Sequence, residues 1–359
     1  ERAMCKRDGH SARDDTAWPY RVVHTNDHGT LTPHEEQEAD AQHRHPPGLK
    51  PLLSTGDGIA QHMHTSHRLG AANTDSAYYT FWQQILGDTE GTISNAYLTS
   101  RAITHAQRRT VLKYRYGQLW NNKLALRYKF SDTDKCPLCH QTDGGGHIAS
   151  GCQDPIMKRM YTERHNKAGR ILLDAIYNGA RGSDICMADV GSQQRCEDDG
   201  APYVGLNHVP AEMLPPQADQ GTEEHARWLR TKRPDIMLCN TQGHSQEDRA
   251  QHDIYIVELK TCQDTRPTDQ LTAARLQHEE LVERLVQRGY QRDKIKIYPI
   301  LLGVSGTIYA AHTIDTLEQL GVQRDAALSC ARKLHTLMVQ QLHSVVTTRR
   351  HLEHRAAPG

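Results

Sequence analysis

Two short motifs in the last third of the chain place carboxylates and a lysine where they could share a metal ion. Asp235 follows a proline, and Glu258 and Lys260 stand two positions apart further along. Carboxylate oxygens bind Mg²⁺ while it keeps waters that can act as nucleophiles. A lysine can orient the attacking water and stabilise a pentavalent phosphorus. The motifs predict Mg²⁺-dependent phosphodiester cleavage, with all three residues catalytic and the two carboxylates as magnesium ligands.

Two neighbouring strands must position these residues. The sequence predicts two strands and an intervening polar loop, over 234–239, 253–261 and 240–252. Side chains at i and i+2 of a strand share a face, so Glu258 and Lys260 project together, while Tyr255, Val257 and Leu259 face the other way. A hairpin that is symmetric about the loop places Asp235 beside Glu258.

The elements that follow predict an α/β fold with a small mixed sheet. A helix is predicted over 269–287 and a largely apolar strand over 295–304, and two helices over 313–320 and 325–347 close the chain. The apolar face of the first helix consists of Leu271, Ala274, Leu281 and Leu285. The order is a hairpin, a crossover helix and a strand. The simplest way to bury their apolar faces is for the last strand to join the sheet through a right-handed crossover.

The carboxylate motif has an alternative explanation, because Glu-x-Lys is common as a solvated pair on an exposed strand. The apolar strand around the two charges and the matching register favour a nuclease. Glu223 or Glu224, on a preceding helix, could add a metal ligand, although a solvated helix face also explains them.

Four residues in the middle of the chain have the spacing of a zinc site. They stand in the pattern Cys-x2-Cys-x7-His-x4-Cys, at Cys136, Cys139, His147 and Cys152. Four nitrogen and sulfur ligands close a tetrahedron around Zn²⁺ and exclude substrate water, so the predicted site is structural. His140 is a weaker substitute ligand. Asp154 and Pro155 then predict the N-cap and first position of a helix that ends near 178.

The segment before this zinc knuckle is strongly basic. Residues 101–130 contain eight cations and no acid, and aromatic residues are interleaved with them. Phosphate neutralisation and base stacking are the two contributions that nucleic-acid binding needs. The candidate contacts are Arg101, Arg108, Arg109, Lys113, Arg115, Trp120, Lys123, Arg127 and Lys129. An amphipathic helix with aromatic core residues is the alternative. Arg164, His165 and Asn166 fit either a phosphate contact or a solvated helix face.

The overall charge hides this basic segment. The 359 residues carry 43 Lys and Arg against 43 Asp and Glu, a formal net charge of zero. Residues 184–224 carry nine acids against one arginine, and this excess balances the basic stretch. No apolar run approaches the roughly 18 residues of a membrane span. Nine cysteines, an odd number, and the lack of a signal pattern at the start of the chain favour a reducing, intracellular location.

The length and these composition changes predict several parts. Residues 1–75 are rich in His and Pro without apolar periodicity, which predicts a disordered or poorly ordered leader. Residues 76–180 form a helical basic segment with the zinc knuckle, 181–222 an acidic proline-containing linker, and 223–359 the candidate nuclease domain with its closing helices.

These motifs, in this order, resemble the carboxy-terminal part of non-LTR retrotransposon proteins that carry a restriction-like endonuclease. The likeness rests on the run 108–115, the zinc knuckle, Arg-Pro-Asp at 233–235 and Val-Glu-Leu-Lys at 257–260. It also includes 162–166 and 301–309, so it spans roughly residues 100–350. The spacing of the knuckle matches the family closely, whereas many unrelated nucleases share the other motif.

The resemblance implies a Cys-Cys-His-Cys knuckle followed by a nuclease domain of the PD-(D/E)xK type, acting in the nucleus. In that family the nuclease nicks target DNA, and a reverse transcriptase extends the freed 3′ end on element RNA. DNA, element RNA and a reverse transcriptase module are the implied partners, with structural Zn²⁺ and catalytic Mg²⁺. When the family's motif is matched to this sequence, the resemblance implies that Asp235 and Glu258 hold the metal and that Lys260 is the catalytic lysine.

Two departures from the family pattern matter. Several members carry the lysine in the following helix, whereas here it stands in Glu-x-Lys, and the fingers and palm of the reverse transcriptase are missing. Asp198-Asp199 lacks the apolar flanks of a polymerase turn. The alternatives to a nuclease are a non-catalytic nucleic-acid-binding remnant and a degenerate reading frame.

Overall fold

A computed structural model describes residues 89–190, 206–216, 223, 228, 233–245, 247–264 and 267–356. The chain divides into two compact units. Of the first unit, only residues 98–101 are described, and the second comprises 88–97 and 102–359. The predicted leader over 1–75, the acids 198–199 and Glu224 lie outside the described residues.

The second unit is a mixed α/β structure. Its main helices are α1 (Gly91–Ser94), α2 (His105–Arg115), α3 (Asn122–Arg127), α4 (Pro155–Tyr177), α5 (Pro267–Gln287), α6 (Asp315–Gln319) and α7 (Arg324–Ala356). Its strands are β1 (Ile185–Ala188), β2 (Ile236–Asn240), β3 (Asp253–Cys262) and β4 (Ile295–Gly303). The predicted helices and strands in the last third of the chain are confirmed, with shifts of a few residues at most of their ends, but the last helix extends nine residues beyond the predicted end at 347.

The four strands form one mixed sheet in the order β1-β2-β3-β4. The pairs β1–β2 and β2–β3 are antiparallel, and β3–β4 is parallel with α5 between its two strands in the sequence. The predicted hairpin, helix and strand order is therefore confirmed. β1 lies in the acidic segment interpreted as a linker, and its pairing with β2 is a role that the sequence analysis does not predict.

Each face of the sheet is covered by helices, which explains why β3 is apolar along most of its length. Its odd-numbered residues Val257 and Leu259 pack into a core with side chains of α4 and α7. Its even-numbered residues Ile254 and Ile256 pack against Leu281 and its neighbours on α5. Burying both faces supplies the hydrophobic stabilisation of the unit. A charged side chain on β3 therefore lies in a mostly apolar environment and needs a polar partner.

Candidate metal centre and carboxylate cluster

The four predicted zinc ligands converge in the structure. The ligand atoms of Cys136, Cys139, His147 and Cys152 all lie within 4.8 Å of one another. The Sγ atoms are 3.9 Å apart between the first and last cysteines and 3.8 Å apart between the last two, and Cys139 Sγ lies 3.4 Å from His147 Nε2. A tetrahedron with Zn–S bonds of about 2.3 Å has S···S edges of about 3.8 Å.

The cluster could therefore bind zinc through four protein ligands. Among the described residues, it is the only group of three or more His, Cys, Asp or Glu side chains close enough to share an ion. Cys136 and Cys152 are buried, whereas His140 is exposed and has a positive φ of 60°. The substitute ligand considered from the sequence is thus unnecessary.

Helix α4 hydrogen-bonds through its side chains to the backbone of the knuckle. Its N-cap is Asp154, whose carboxylate accepts hydrogen bonds from backbone N–H groups of the first turn, as the sequence predicts. One turn further, the Tyr161 hydroxyl donates to the carbonyl of Ile148 at 2.8 Å. Arg164 donates to the carbonyl of Ala149 at 2.8 Å and is 2% exposed. Arg164 is therefore an internal anchor of the knuckle, and neither a phosphate contact nor a solvated side chain.

A buried ion pair joins the knuckle to α7. Arg349 lies 2.8 Å from Asp143, and their side chains are 3% and 0% exposed. Asp143 also accepts the backbone N–H of Asn122 at 2.8 Å, so one carboxylate ties together the knuckle loop, α3 and α7. Removing one partner of such a pair leaves an uncompensated charge in the interior.

We expect Arg349→Met to lower the free energy of unfolding by about 3–5 kcal/mol, because Asp143 would remain buried without its cation. Urea denaturation monitored by circular dichroism measures the change. Arg332→Met, at an exposed arginine of the same helix, is the matched control and should change stability by less than about 0.5 kcal/mol. Equal stabilities of the two variants would contradict this assignment of the ion pair.

The carboxylates and the lysine lie where β2 stops covering β3. The register pairs Ile236 with Val257, so the residue before β2, Asp235, lies at the level of Glu258, as predicted. Past this point the backbone N–H of Leu259 has no strand partner on that side. Asp235 Oδ2 accepts it at 2.6 Å. The position of Asp235 just before β2 thus places its carboxylate next to strand β3, which carries Glu258.

Glu258 lies on the α5 side of the sheet with both oxygens engaged. Lys260 Nζ donates to Oε1 at 2.7 Å, and His278 Nε2 of α5 lies 2.8 Å from Oε2. Lys260 Nζ also donates a hydrogen bond to Gln277 Oε1 at 2.6 Å. Glu258 is 4% exposed. Burial opposes its ionisation, but the hydrogen bond with His278 and the charge of Lys260 outweigh burial and lower the pKa of Glu258.

Asp235 has the opposite electrostatic character. Burial raises the pKa of Asp235, the nearby charge of Glu258 raises it further, and the hydrogen bond with His165 only partly offsets them. His165, on α4, lies 3.4 Å from Asp235 Oδ2 and 3.3 Å from the carbonyl of Leu259. Burial lowers the pKa of His165, but Asp235 outweighs this effect and raises it to about 8. Two carboxylates with different proton affinities and two histidines thus share this corner of the sheet.

Sequence reasoning missed His278 and Gln277 and left the role of His165 open. The spacing of Ala274, His278, Leu281 and Leu285 is a helical stripe, and all four are buried. A histidine in an otherwise apolar stripe that faces a charged strand could have been identified from this period.

The candidate nucleic-acid contacts differ in exposure, and they form an exposed, a partly buried and a buried group. Most of them are exposed: Arg101, Arg109, Trp120, Lys123, Arg127 and Lys129. Arg108 and Lys113 are partly buried. Trp120 is 52% exposed and its ring lies 5.8 Å from that of Phe130, which is 77% exposed. We call this pair, together with Tyr128, the aromatic patch.

Arg115 departs from the expected role. It is 6% exposed and donates to Ser305 Oγ at 2.8 Å, to Asn95 Oδ1 at 3.1 Å and to the carbonyl of Ser94 at 2.9 Å. Its guanidinium stabilises the interior and is not available to a phosphate in this conformation. The reason is positional, because Arg115 lies on the same helix face as the buried Val111.

Comparisons with known proteins do not assign the chain to a family. A scan against protein-family models and a search of the curated proteins both return no match. Of the helices in the described part of the chain, none combines the length and apolar character needed to cross a membrane.

Proposed function

We propose that this chain is a Mg²⁺-dependent DNA endonuclease of the PD-(D/E)xK type, with a zinc-stabilised nucleic-acid-binding segment before it. The observation that carries the proposal is the junction of β2 and β3. There Asp235 is hydrogen-bonded to the backbone beside Glu258, and Lys260 lies 2.7 Å from the same glutamate. Two carboxylates that can bind a metal ion, with a cation beside them, suit metal-assisted phosphodiester cleavage.

In this proposal the two carboxylates would hold the ion. An ionised carboxylate offers about four lone-pair positions, and the contacts of Glu258 use one on each oxygen. His278 and Lys260 keep Glu258 ionised, while Leu259 orients Asp235. When bound, Mg²⁺ would supply a water of lowered pKa and polarise the phosphate. Lys260 would orient that water and stabilise the negative charge that develops on the phosphate oxygens.

The resemblance to non-LTR retrotransposon proteins supports a more specific biological role. In this role the chain nicks target DNA, and a reverse transcriptase module uses the freed 3′ end with element RNA as template. This role, the nuclear location and the partners rest on the sequence motifs. The support from the described residues is the combination of a Cys-Cys-His-Cys cluster and, after it in the sequence, a mixed sheet that carries the charged cluster.

The proposed role of the lysine gives a direct test. We expect Lys260→Met to reduce the Mg²⁺-dependent rate of plasmid nicking about 10²-fold or more, because it removes the positioned cation from the reacting phosphate. Lys296→Met, on the adjacent strand β4 and exposed, is the matched control and should nick at the wild-type rate. Equal rates for the two variants would remove Lys260 from the mechanism.

A second candidate function is nucleic-acid binding without cleavage, with the sheet serving only as a scaffold. Two observations favour it: the aromatic patch lies among exposed cations, and both oxygens of Glu258 already have protein partners. This function predicts salt-dependent binding of DNA or RNA and no cleavage with Mg²⁺ or Mn²⁺.

A further inference from the structure

Helices α2 and α7 border a cleft whose side chains are mostly basic. Its volume is about 340 Å³, and it is lined chiefly by His105, Arg109, Lys113, Leu119, His343 and Arg350. No acidic residue contributes to its lining among the described residues. We call it the cationic cleft. A cleft of this kind attracts anions, because its low-dielectric walls focus the field of the basic groups.

Within the described part of the chain, the positive charges in the cleft have no acidic partner. Among the residues that the structure describes, none of Arg109, Lys113 and Arg350 makes an ion pair, although Arg349 of the same helix α7 pairs with both Asp143 and Glu353. Partial burial lowers the pKa of Lys113, and the charges of Arg109 and Arg350 lower it further. Three cations held this close repel one another, and an anion between them would relieve the repulsion.

The shape of the cleft is fixed by the fold. Thr110 donates its hydroxyl hydrogen to the carbonyl of Ala106 at 3.0 Å, so its Oγ1, 2.8 Å from His343 Nδ1, acts as the acceptor for the histidine. This contact ties α2 to α7 at the cleft wall. The basic side chains come from both helices, so the packing of α2 on α7 sets the spacing of the backbone positions that carry them.

The cleft adjoins the aromatic patch through consecutive residues. Leu119 lines the cleft, and the next residue, Trp120, is exposed beside Phe130. A nucleotide unit presents the same combination, with a phosphate on one side and a flat base on the other. Bases in a duplex are already stacked on their neighbours, so only an unpaired base can stack on these rings.

We propose that the cationic cleft binds a backbone phosphate of a single-stranded nucleic acid, whose neighbouring base stacks on Trp120 and Phe130. The proposal rests on the nucleic-acid-binding part of the proposed function and deepens it by assigning a phosphate site and a preference for unpaired strands. The new members of the site are His343 and Arg350 on α7, far in sequence from the basic segment.

The test measures the affinity of the full 359-residue chain for a fluorescent oligothymidylate as a function of salt. Lys113→Gln combined with Arg350→Gln should weaken binding about tenfold or more at low salt. It should also make the log-log salt slope less steep by about 0.7, the value for one lost phosphate contact on a single strand. Arg332→Gln combined with Lys333→Gln removes the same charge from exposed positions of α7 and should change affinity less than twofold.

Three outcomes of these binding measurements would overturn the proposal, and a fourth comes from a competition with inorganic phosphate. The first is equal weakening by both double variants, which would show that only the overall charge matters. The second is unchanged affinity of the cleft variant. The third is a duplex of the same sequence competing as well as the single strand. Inorganic phosphate is a further probe, and the proposal expects it to compete only weakly, since it lacks the stacked base; competition as strong as that of the oligonucleotide would contradict the stacking.

A stability measurement keeps the test interpretable. Because the substitutions relieve repulsion within the cleft, the double variant should melt at or above the temperature of the wild type, so weaker binding cannot come from unfolding. The nuclease is tested separately by plasmid nicking. If the wild type never nicks DNA but the cleft variant loses binding, only the nuclease proposal is refuted. If the wild type nicks DNA and the cleft variant binds normally, only the cleft proposal is refuted.

Discussion

Replacing Asp235 by Asn is expected to slow Mg²⁺-dependent nicking at least about 10³-fold. The substitution removes the charge of one of the two carboxylates proposed to bind the metal, and with it the ion that would activate the nucleophile. It preserves the local fold, because the amide oxygen of Asn can still accept the N–H of Leu259 that Asp235 Oδ2 accepts now. The measurement is the rate at which supercoiled plasmid becomes open circular under single-turnover conditions.

The matched control for this prediction is Asp269→Asn, at an exposed carboxylate in the first turn of α5. It makes the same change of charge close in sequence to the site and should leave the rate within about twofold of wild type. A rate for Asp235→Asn close to that of the control would exclude the metal-dependent mechanism at this site. Circular dichroism of both variants separates loss of chemistry from loss of fold.

Cysteine substitution in the knuckle is expected to have the largest effect on stability. Cys152→Ser should reduce bound zinc from about one ion per chain to near zero and lower the melting temperature by about 10 °C or more. The physical reason is that the free energy of binding structural zinc is also folding free energy. Cys152 is buried and directly precedes α4, so its loss frees the loop that the ion pair of Asp143 and Arg349 anchors.

Cys239→Ser serves as the control for the knuckle, because Cys239 is a free thiol on β2 that is not part of the metal cluster. It should retain full zinc content by atomic absorption and melt within a few degrees of wild type. A Cys152→Ser protein with unchanged zinc content would show that the four residues are not the ligands. Chelation of the wild type should reproduce the loss of stability.

The features that the sequence predicts well are those set by local spacing. Short spacing brings Cys136 and Cys139 into one turn, and a helix begins after the knuckle because Asp154 and Pro155 are suited to its first positions. The hairpin register follows from the polar loop between two apolar strands, and this loop places Asp235 opposite Glu258.

The features that the sequence does not predict depend on contacts between distant segments. His165 reaches Leu259 across 94 positions, and Arg115 reaches Ser305 across 190. A single sequence contains no signal for either contact, so Arg115 resembled its exposed neighbours on the basic segment. Strand β1 escaped recognition because four residues are too few to show an alternating pattern, and their flanks are acidic and proline-containing.

The cationic cleft has the same origin. Arg109 and Lys113 belong to the basic segment, whereas Arg350 and His343 belong to the last helix, and only the packing of α2 on α7 brings them together. The charge pattern of the sequence indicates the half that lies in the basic segment, but it gives no indication of the half on α7. The fold thus concentrates charge that the zero net charge of the sequence conceals.

The most direct measurement of the central claim is plasmid nicking by the purified wild-type chain, with Asp235→Asn assayed beside it at equal zinc content. The account predicts that wild type converts supercoiled plasmid to open circles with Mg²⁺, that EDTA stops the reaction, and that Asp235→Asn is inactive under all conditions. No nicking by folded, zinc-loaded wild type with Mg²⁺ or Mn²⁺, or equal nicking by the variant, would contradict it.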